Sequence, residues 1–247
     1  IRGQHPDAIT LFQILDKLKL TDILSQTNNV GQTPLHFACI FNQHMFIRPL
    51  LRLNCNPNVQ DNEGNTALHI VINEDCGECL SHFAQCMDNN AHIQFDANLS
   101  NDDGFTPLHL AIRRNNVNFV RILLTKFNAS AKTAISRDGN NALHLAVQHH
   151  NGGIVKCVLE NSKVQVNAKN RSGHTALDLA KTLDDRVRKD ILDLLMAKLP
   201  ALSDDDSAMT IDSIKDEPED DRSTEDEDEQ SLSSVEKRMM KRTSSVC

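Results

Sequence analysis

The sequence predicts an all-α solenoid of stacked helical pairs over residues 1–200 and a disordered acidic tail over residues 201–247. Two observations predict this division. A short pattern that begins with glycine occurs five times between Gly31 and Ala180, and a recurring period of this kind is typical of stacked repeats. After Leu202 the chain becomes strongly acidic, as do segments that cannot bury enough apolar surface to fold.

The five copies share a leading glycine and a leucine four residues later, and all but the last carry histidine directly after that leucine. Their glycines are 33, 40, 35 and 34 residues apart, close to a single period. The copies are Gly31–Ala38, Gly64–Val71, Gly104–Ala111, Gly139–Ala146 and Gly173–Ala180.

Each position of the pattern has a mechanical role. Glycine follows Asn- or Asp-rich residues, as a turn with positive φ requires. Threonine stands where its hydroxyl can cap a helix, and Pro34 and Pro107 occupy the first helical position, where a missing N–H costs little. A second apolar segment follows a polar break, as in Phe119–Leu124 after Arg113–Asn116. The predicted unit is therefore a turn, a helix, a loop and a second helix.

The ends of the array depart from this pattern. Asp7–Leu20 has the apolar spacing of a second helix, which gives one partial opening unit before the five full ones. In the last two copies Asn141 replaces the threonine and Asp178 replaces the histidine, so we expect less regular helix caps there.

Charge is distributed unevenly along the chain, whose 26 Lys and Arg and 34 Asp and Glu give a net charge of −8. Ser203–Gln230 contains 14 acidic and 2 basic residues, a net −12, whereas Ser231–Cys247 carries +3 and residues 1–202 carry +1. This balance argues against a free-standing nucleic-acid binder, whose affinity comes from neutralising phosphates.

The sequence predicts neither a membrane span nor a secretory signal, because no run of apolar residues is long enough for either. Seven cysteines, an odd number, fit reduced thiols better than a disulfide framework. We therefore expect a cytoplasmic protein, with shuttling to the nucleus as an extension, that is monomeric when unbound.

Two groups of side chains suggest chemistry, and the repeat register favours a structural role for both. Cys76, Cys79, His82 and Cys86 have ligand-like spacing, but Cys79 and Cys86 fall on one buried helical face, so we predict no metal site. The histidines of the pattern lie one unit apart and should hydrogen-bond turn backbone; they are His36, His69, His109 and His144. Without a phosphate loop, nucleophile elbow or Cys-His dyad in a suitable context, we predict neither an enzyme nor a bound cofactor.

The repeated Thr-Pro-Leu-His-x-Ala pattern resembles the ankyrin repeat. Beyond it, the 40-residue interval with extra residues around Cys86–Ser100 and the acidic tail resemble the inhibitor-of-κB (IκB, Cactus-type) family. The local sequence agrees with this resemblance, since three segments look like the second and third repeats of that family: Asn29–His36, Cys55–Asp61 and Gly64–His69.

This resemblance implies a protein that holds Rel/NF-κB dimers in the cytoplasm. By the family's example, Asp7–Gln60 would cover the Rel import segment and Asn101–Leu199 would meet the dimerisation domains. The acidic tail would oppose DNA at the basic cleft of the dimer. The partner-binding candidates in the tail are Asp204, Asp205, Asp206, Glu217, Glu219, Asp220 and Asp221.

The tail also carries candidate modification sites. Ser203 and Thr224 precede carboxylates, the context that acidophilic kinases prefer, and Lys215 lies in a SUMO-acceptor-like sequence. The content of Pro, Glu, Asp, Ser and Thr resembles a PEST segment. Lys237–Arg242 is a basic cluster that fits either a weak import signal or a solvated terminus.

Three other functions compete with inhibition. A nuclear coregulator that binds Rel dimers on DNA is favoured by the basic cluster and opposed by the acidic block. A generic ankyrin scaffold has no feature against it, because the fold hosts many partners. An adaptor within an enzyme is disfavoured because no residues remain for a catalytic domain.

Overall fold

The structure, a computed structural model, describes residues 24–89, 92–135 and 137–198, together with Ile14 and Lys17. The described residues form ten helices, two in each of five units. They are α1 (Pro34–Ile40), α2 (His44–Arg52), α3 (Ala67–Asn73), α4 (Gly77–Asn89), α5 (Pro107–Arg113), α6 (Val117–Thr125), α7 (Ala142–Gln148), α8 (Gly152–Asn161), α9 (Ala176–Lys181) and α10 (Asp185–Met196).

The helices pack in two layers. The first layer contains the odd-numbered helices, each packed on the next, and the second layer contains the even-numbered ones. Across the described ranges no strand forms, and one isolated bridge joins Lys169 and Thr175. Because each unit buries its apolar face against its neighbours, one continuous core runs through the stack. The predicted all-α solenoid is confirmed.

The turn before each first-layer helix has the conformation that the glycines predict. All five pattern glycines have positive φ, between 68° and 80°. At Gly64 a Cβ atom would also lie only 2.7 Å from the backbone nitrogen of Asp102 in the next turn, so a side chain does not fit. Consecutive turns are joined by backbone hydrogen bonds, among them Asp102 N–H to Glu63 O at 3.0 Å and Arg171 N–H to Asp138 O at 3.1 Å.

The pattern histidines have the structural role that the sequence predicts. In His69, Nδ1 accepts the backbone N–H of Thr66 at 3.1 Å, so the proton lies on Nε2, which donates to Phe105 O at 3.0 Å in the next unit. His36, His109 and His144 bond their own caps and the following unit in the same way. Each histidine therefore fastens two neighbouring units.

The expectation of less regular caps in the last two units is wrong. Asn141 Oδ1 accepts the backbone N–H groups of Leu143 and His144 at 3.0 and 3.1 Å. In the final unit Thr175 Oγ1 accepts the N–H of Asp178 at 3.2 Å, and the Asp178 carboxylate accepts the N–H of Thr175 at 3.0 Å. An amide can replace a hydroxyl here, and a carboxylate can replace an imidazole, because each offers an acceptor at the same place.

The extra residues of the 40-residue interval lengthen α4 and add a loop that returns to the core. Phe95 in this loop is buried and contacts Phe83 of α4, with ring centroids 4.6 Å apart. On its other side Phe95 meets Phe127 edge-on at 5.4 Å. The insertion is thus anchored by an aromatic cluster that links two units.

Two sequence predictions lie outside the described residues. The partial opening unit at Asp7–Leu20 is described only at Ile14 and Lys17, both helical. The tail, residues 201–247, falls outside entirely. Among the helices that the structure describes, none combines the length and apolar character needed to cross a bilayer.

Candidate protein-binding surface

The turn tips form the most regular exposed feature of the stack. We call them the turn row, and its members are Asn29–Val30, Asn62–Glu63, Asp102–Asp103, Arg137–Asp138 and Arg171–Ser172, all exposed. A second series, the cap row, consists of the exposed residues that end the first-layer helices: Phe41, Glu74, Arg114, His149 and Thr182. The repeat places both rows at fixed positions. Asn62 and Arg171 also donate to the preceding turn, at Asn29 O and Arg137 O, so these two side chains help to join the units.

The first described unit presents an apolar surface. Val30 and Phe41 are 50% and 59% exposed, and Phe37 and Met45 are also exposed. The rings of Phe37 and Phe41 stack with their centroids 6.0 Å apart. Large apolar side chains grouped on a surface are typical of a protein-binding region.

The second unit is acidic at both equivalent positions, and the third unit is acidic in its turn row. Glu63, Asp102 and Asp103 lie in the turn row, and Glu74 lies in the cap row with Asp75 beside it. Because these carboxylates are exposed and repeat at neighbouring tips, they provide a negative surface that fits a basic segment.

The two rows become basic from the cap row of the third unit onward. Arg137 and Arg171 replace the acidic tips, and Arg114 and His149 replace Glu74 in the cap row. Burial, followed by the charges of Arg113 and His150, lowers the pKa of His149. The charge of this region therefore comes from its arginines and lysines.

The two parts of the stack have opposite charges. We call residues 24–103 the opening half and residues 104–198 the closing half. The opening half carries nine acidic and 2 basic residues, and the closing half carries seven acidic and 15 basic residues. Their net charges are −7 and +8, which explains the near-neutral total found for residues 1–202. This polarity cancels when charge is summed over residues 1–202, whereas a count for each unit reveals it.

The cysteine group behaves as buried structure. Cys76 precedes α4, and Cys79 and Cys86 are buried on one face of that helix, as the sequence predicts. Cys76 Sγ donates to Asn42 Oδ1 at 2.9 Å, and burial raises the pKa of the Cys79 thiol. Among the residues that the structure describes, no group of three or more His, Cys, Asp or Glu side chains is arranged to hold a metal ion.

The predicted partner-binding carboxylates lie outside the described residues. These are Asp204, Asp205, Asp206, Glu217, Glu219, Asp220 and Asp221, and the same holds for the modification candidates Ser203, Lys215 and Thr224. They remain predictions.

Comparison with known proteins agrees with the architecture. Three overlapping copies of the family described as ankyrin repeats match residues 4–94, 46–134 and 82–170. The chain belongs to the ankyrin-repeat family.

Its relatives come from a narrower group. The chain is 35% identical over 186 residues to the nuclear factor NF-kappa-B p110 subunit of Drosophila melanogaster, an alignment that covers 73% of this chain and 19% of that protein. It is 36% identical over 103 residues to the NF-kappa-B inhibitor alpha of Rattus norvegicus, covering 41% of this chain and 32% of the inhibitor. The chain therefore spans less than a third of either relative.

The ankyrin-repeat domain of Bcl-3, described as a unique member of the IκB protein family, is similar in structure. The TM-score is 0.66 at 27% sequence identity, and the match covers 80% of this chain and 82% of that domain. The predicted resemblance to the IκB group is thus confirmed.

Proposed function

We propose that this chain binds Rel/NF-κB dimers and inhibits them. In this proposal Asp7–Gln60 covers the basic import segment of the dimer, and Asn101–Leu199 meets the dimerisation domains. The observation that carries the proposal is the order of apolar and acidic surfaces along the turn row and cap row. An apolar unit is followed directly by acidic tips, the combination that a basic segment with apolar neighbours would require. The NF-κB relatives support the choice of partner.

The tail contributes the second part of the proposal. A net charge of −12 over Ser203–Gln230 would compete with DNA for the basic cleft of the dimer. Asp204–Asp206 and Glu217–Asp221 are the carboxylates that we assign to this task. A protein acting in this way retains its dimers in the cytoplasm and can shuttle with them to the nucleus.

A second function has an observation of its own. The closing half carries a net +8, so it can lie beside DNA phosphates without repulsion. This charge favours a nuclear coregulator that forms a ternary complex with a Rel dimer and its DNA. The structural similarity to the ankyrin-repeat domain of Bcl-3 is compatible with this second function as well.

One experiment separates these functions. Purified chain is mixed with Rel homology domains, and the dimers are then challenged with fluorescent DNA that carries their recognition sequence. A fall in the fluorescence anisotropy of the DNA supports inhibition, because the DNA has been released. An anisotropy larger than that of the dimer–DNA complex supports coregulation, because a ternary complex has formed. Absence of binding to the Rel domains would contradict both and leave a generic scaffold.

Deleting Ser203–Cys247 tests the role of the tail. We expect the shortened chain to bind dimers with similar affinity but to displace DNA less effectively, and the deficit should grow at low salt because screening is weaker. Equal displacement by the full and shortened chains at every salt concentration would remove the tail from the proposal.

A further inference from the structure

A groove in the second layer joins α2, the last turn of α4 and the inserted loop. Its lining consists of Arg48, Arg52, Cys86, Asn89 and Ile93. Arg48 and Arg52 fall within Asp7–Gln60, but they belong to the second layer, whereas the turn row and cap row flank the first-layer helices. The insertion that lengthens α4 supplies Asn89 and Ile93, so units without it do not build the same groove.

The two arginines are the only basic residues of the opening half, which has nine acidic ones. Arg48 and Arg52 lie one helical turn apart on α2, and both are exposed. In the described part of the chain neither makes an ion pair. Two like charges that converge on one groove without compensation repel each other unless an anion binds there.

The acidic residues of the neighbouring helix do not supply that anion. Glu78 Oε2 lies 3.0 Å from His44 Nδ1, and Asp88 Oδ2 lies 2.9 Å from Lys126 Nζ on the opposite side of α4. Both carboxylates of α4 thus have partners of their own, Glu78 at His44 and Asp88 at Lys126. The groove keeps two guanidinium groups whose donors are available to a ligand.

A phosphate monoester matches this arrangement best. It carries between about −1.5 and −2 charges at neutral pH and three acceptor oxygens, so one group can meet two guanidinium forks. A long polyanion would bring further phosphates against an opening half whose net charge is −7, and is disfavoured. Ile93 and the buried Cys86 offer an apolar contact for a residue next to the phosphate.

We propose that this groove binds a phosphoserine or phosphothreonine residue in a segment of a partner polypeptide. Because the groove lies in the second layer, such a partner can attach while the turn row is occupied. The chain would then connect a phosphorylated protein to whatever the first layer holds.

The test uses the full chain and two fluorescent peptide pools that differ only in a central phosphoserine. The flanking positions are randomised without Asp or Glu, and binding is followed by anisotropy. We expect the phosphorylated pool to bind and the unphosphorylated pool not to bind. Replacing both arginines, Arg48→Gln with Arg52→Gln, should weaken binding by about tenfold or more, since two charge-assisted contacts are lost.

The matched control removes two exposed cations elsewhere in the second layer. Arg121→Gln with Lys156→Gln changes the charge by the same amount on α6 and α8 and should leave peptide binding unchanged. Thermal unfolding of both double variants should match the parent, because surface substitutions of this kind rarely alter stability.

Three results would overturn the proposal. Equal binding of the two pools would remove the phosphate from it, and equal weakening by both double variants would reduce it to general charge attraction. Competition by a short DNA duplex or by anionic lipid vesicles at lower concentration than the phosphopeptide pool would assign the groove to a different class of partner.

Discussion

The opening and closing halves of the stack share one architecture and differ in surface charge. In both halves a buried histidine joins its own helix cap to the next unit, as His69 does in the opening half and His109 in the closing half. Yet their net charges are −7 and +8. The units of both halves are thus joined by features that carry no net charge. The exposed turn row and cap row are therefore available for recognition.

The junction between the halves gives the largest expected effect. Phe83 is fully buried and packs on Phe95, which in turn meets Phe127 across the boundary between the halves. We expect Phe83→Ala to lower the free energy of unfolding by about 3–5 kcal/mol, because the vacated volume cannot be refilled. Chemical denaturation measures this change.

The control for this prediction is another phenylalanine of the opening half. Phe37 is 40% exposed, so Phe37→Ala should cost far less than the core substitution. Similar losses in the two variants would mean that the inserted loop is not part of the core that connects the halves.

Acid sensitivity should be the same in both halves. Burial lowers the pKa of His69 and His109 to about 4, from an ordinary value of 6.5. As the pH falls, the unfolded chain therefore binds these protons first. The resulting stability is complete above pH 6.5 and is lost between pH 6.5 and about 4. A shift of this size corresponds to roughly 3 kcal/mol per histidine at the acid limit.

Urea unfolding at a series of pH values checks this expectation. His69→Gln and His109→Gln should each be less stable than the parent at neutral pH and should each depend less steeply on pH. His92 is exposed in the inserted loop, and His92→Gln should keep the parent slope. A parent-like slope in only one of the two core variants would break the equivalence of the halves.

Much of this architecture could be predicted from the sequence. Gly64, Thr66 and His69 have roles that recur in each unit, and recurring roles are readable from a repeated pattern. The anchoring of the insertion by Phe95 could not be predicted from the sequence, because the length of an insertion does not reveal which of its side chains returns to the core. The substituted cap at Asn141 was misjudged because the identity of the residue was weighed above the position of its acceptor oxygen.

The candidate surface was less predictable than the fold. The repeat fixes which positions are exposed, but the sequence analysis placed the partner-binding carboxylates only in the tail. Glu63 and Asp103 at the tips, and Arg137 and Arg171 further along, were present in the sequence and cancelled in the sum. Binding measurements on variants of the tail and of the turn row test whether the two act together.

Reversing two charges in the opening half should make the halves less different in charge and reduce recognition of Rel dimers. Glu74→Lys with Asp103→Lys changes one cap-row and one turn-row residue, both exposed. We expect binding to weaken by about tenfold at low salt, with a smaller change at high salt. Isothermal titration with purified Rel dimers at two salt concentrations measures it.

A matched variant places the same charge change in the second layer. Glu78→Lys with Asp88→Lys alters two carboxylates of α4 that belong to neither the turn row nor the cap row. Rel binding should remain near the parent value. If the two variants weaken binding equally, the overall charge of the opening half matters and the turn row does not.

The smallest expected effect concerns the ion pair that crosses from one half to the other. Asp88 Oδ2 and Lys126 Nζ are 2.9 Å apart, but their side chains are 57% and 50% exposed. Solvent and salt screen such pairs, so a double-mutant cycle with Asp88→Asn and Lys126→Met should give a coupling of only about 0.2–1 kcal/mol. A coupling as large as the loss expected for Phe83→Ala would mean that opposite charge holds the halves together. A small value places their cohesion in the aromatic cluster and in the His69 bond to Phe105 O, both of which are insensitive to salt because they are buried.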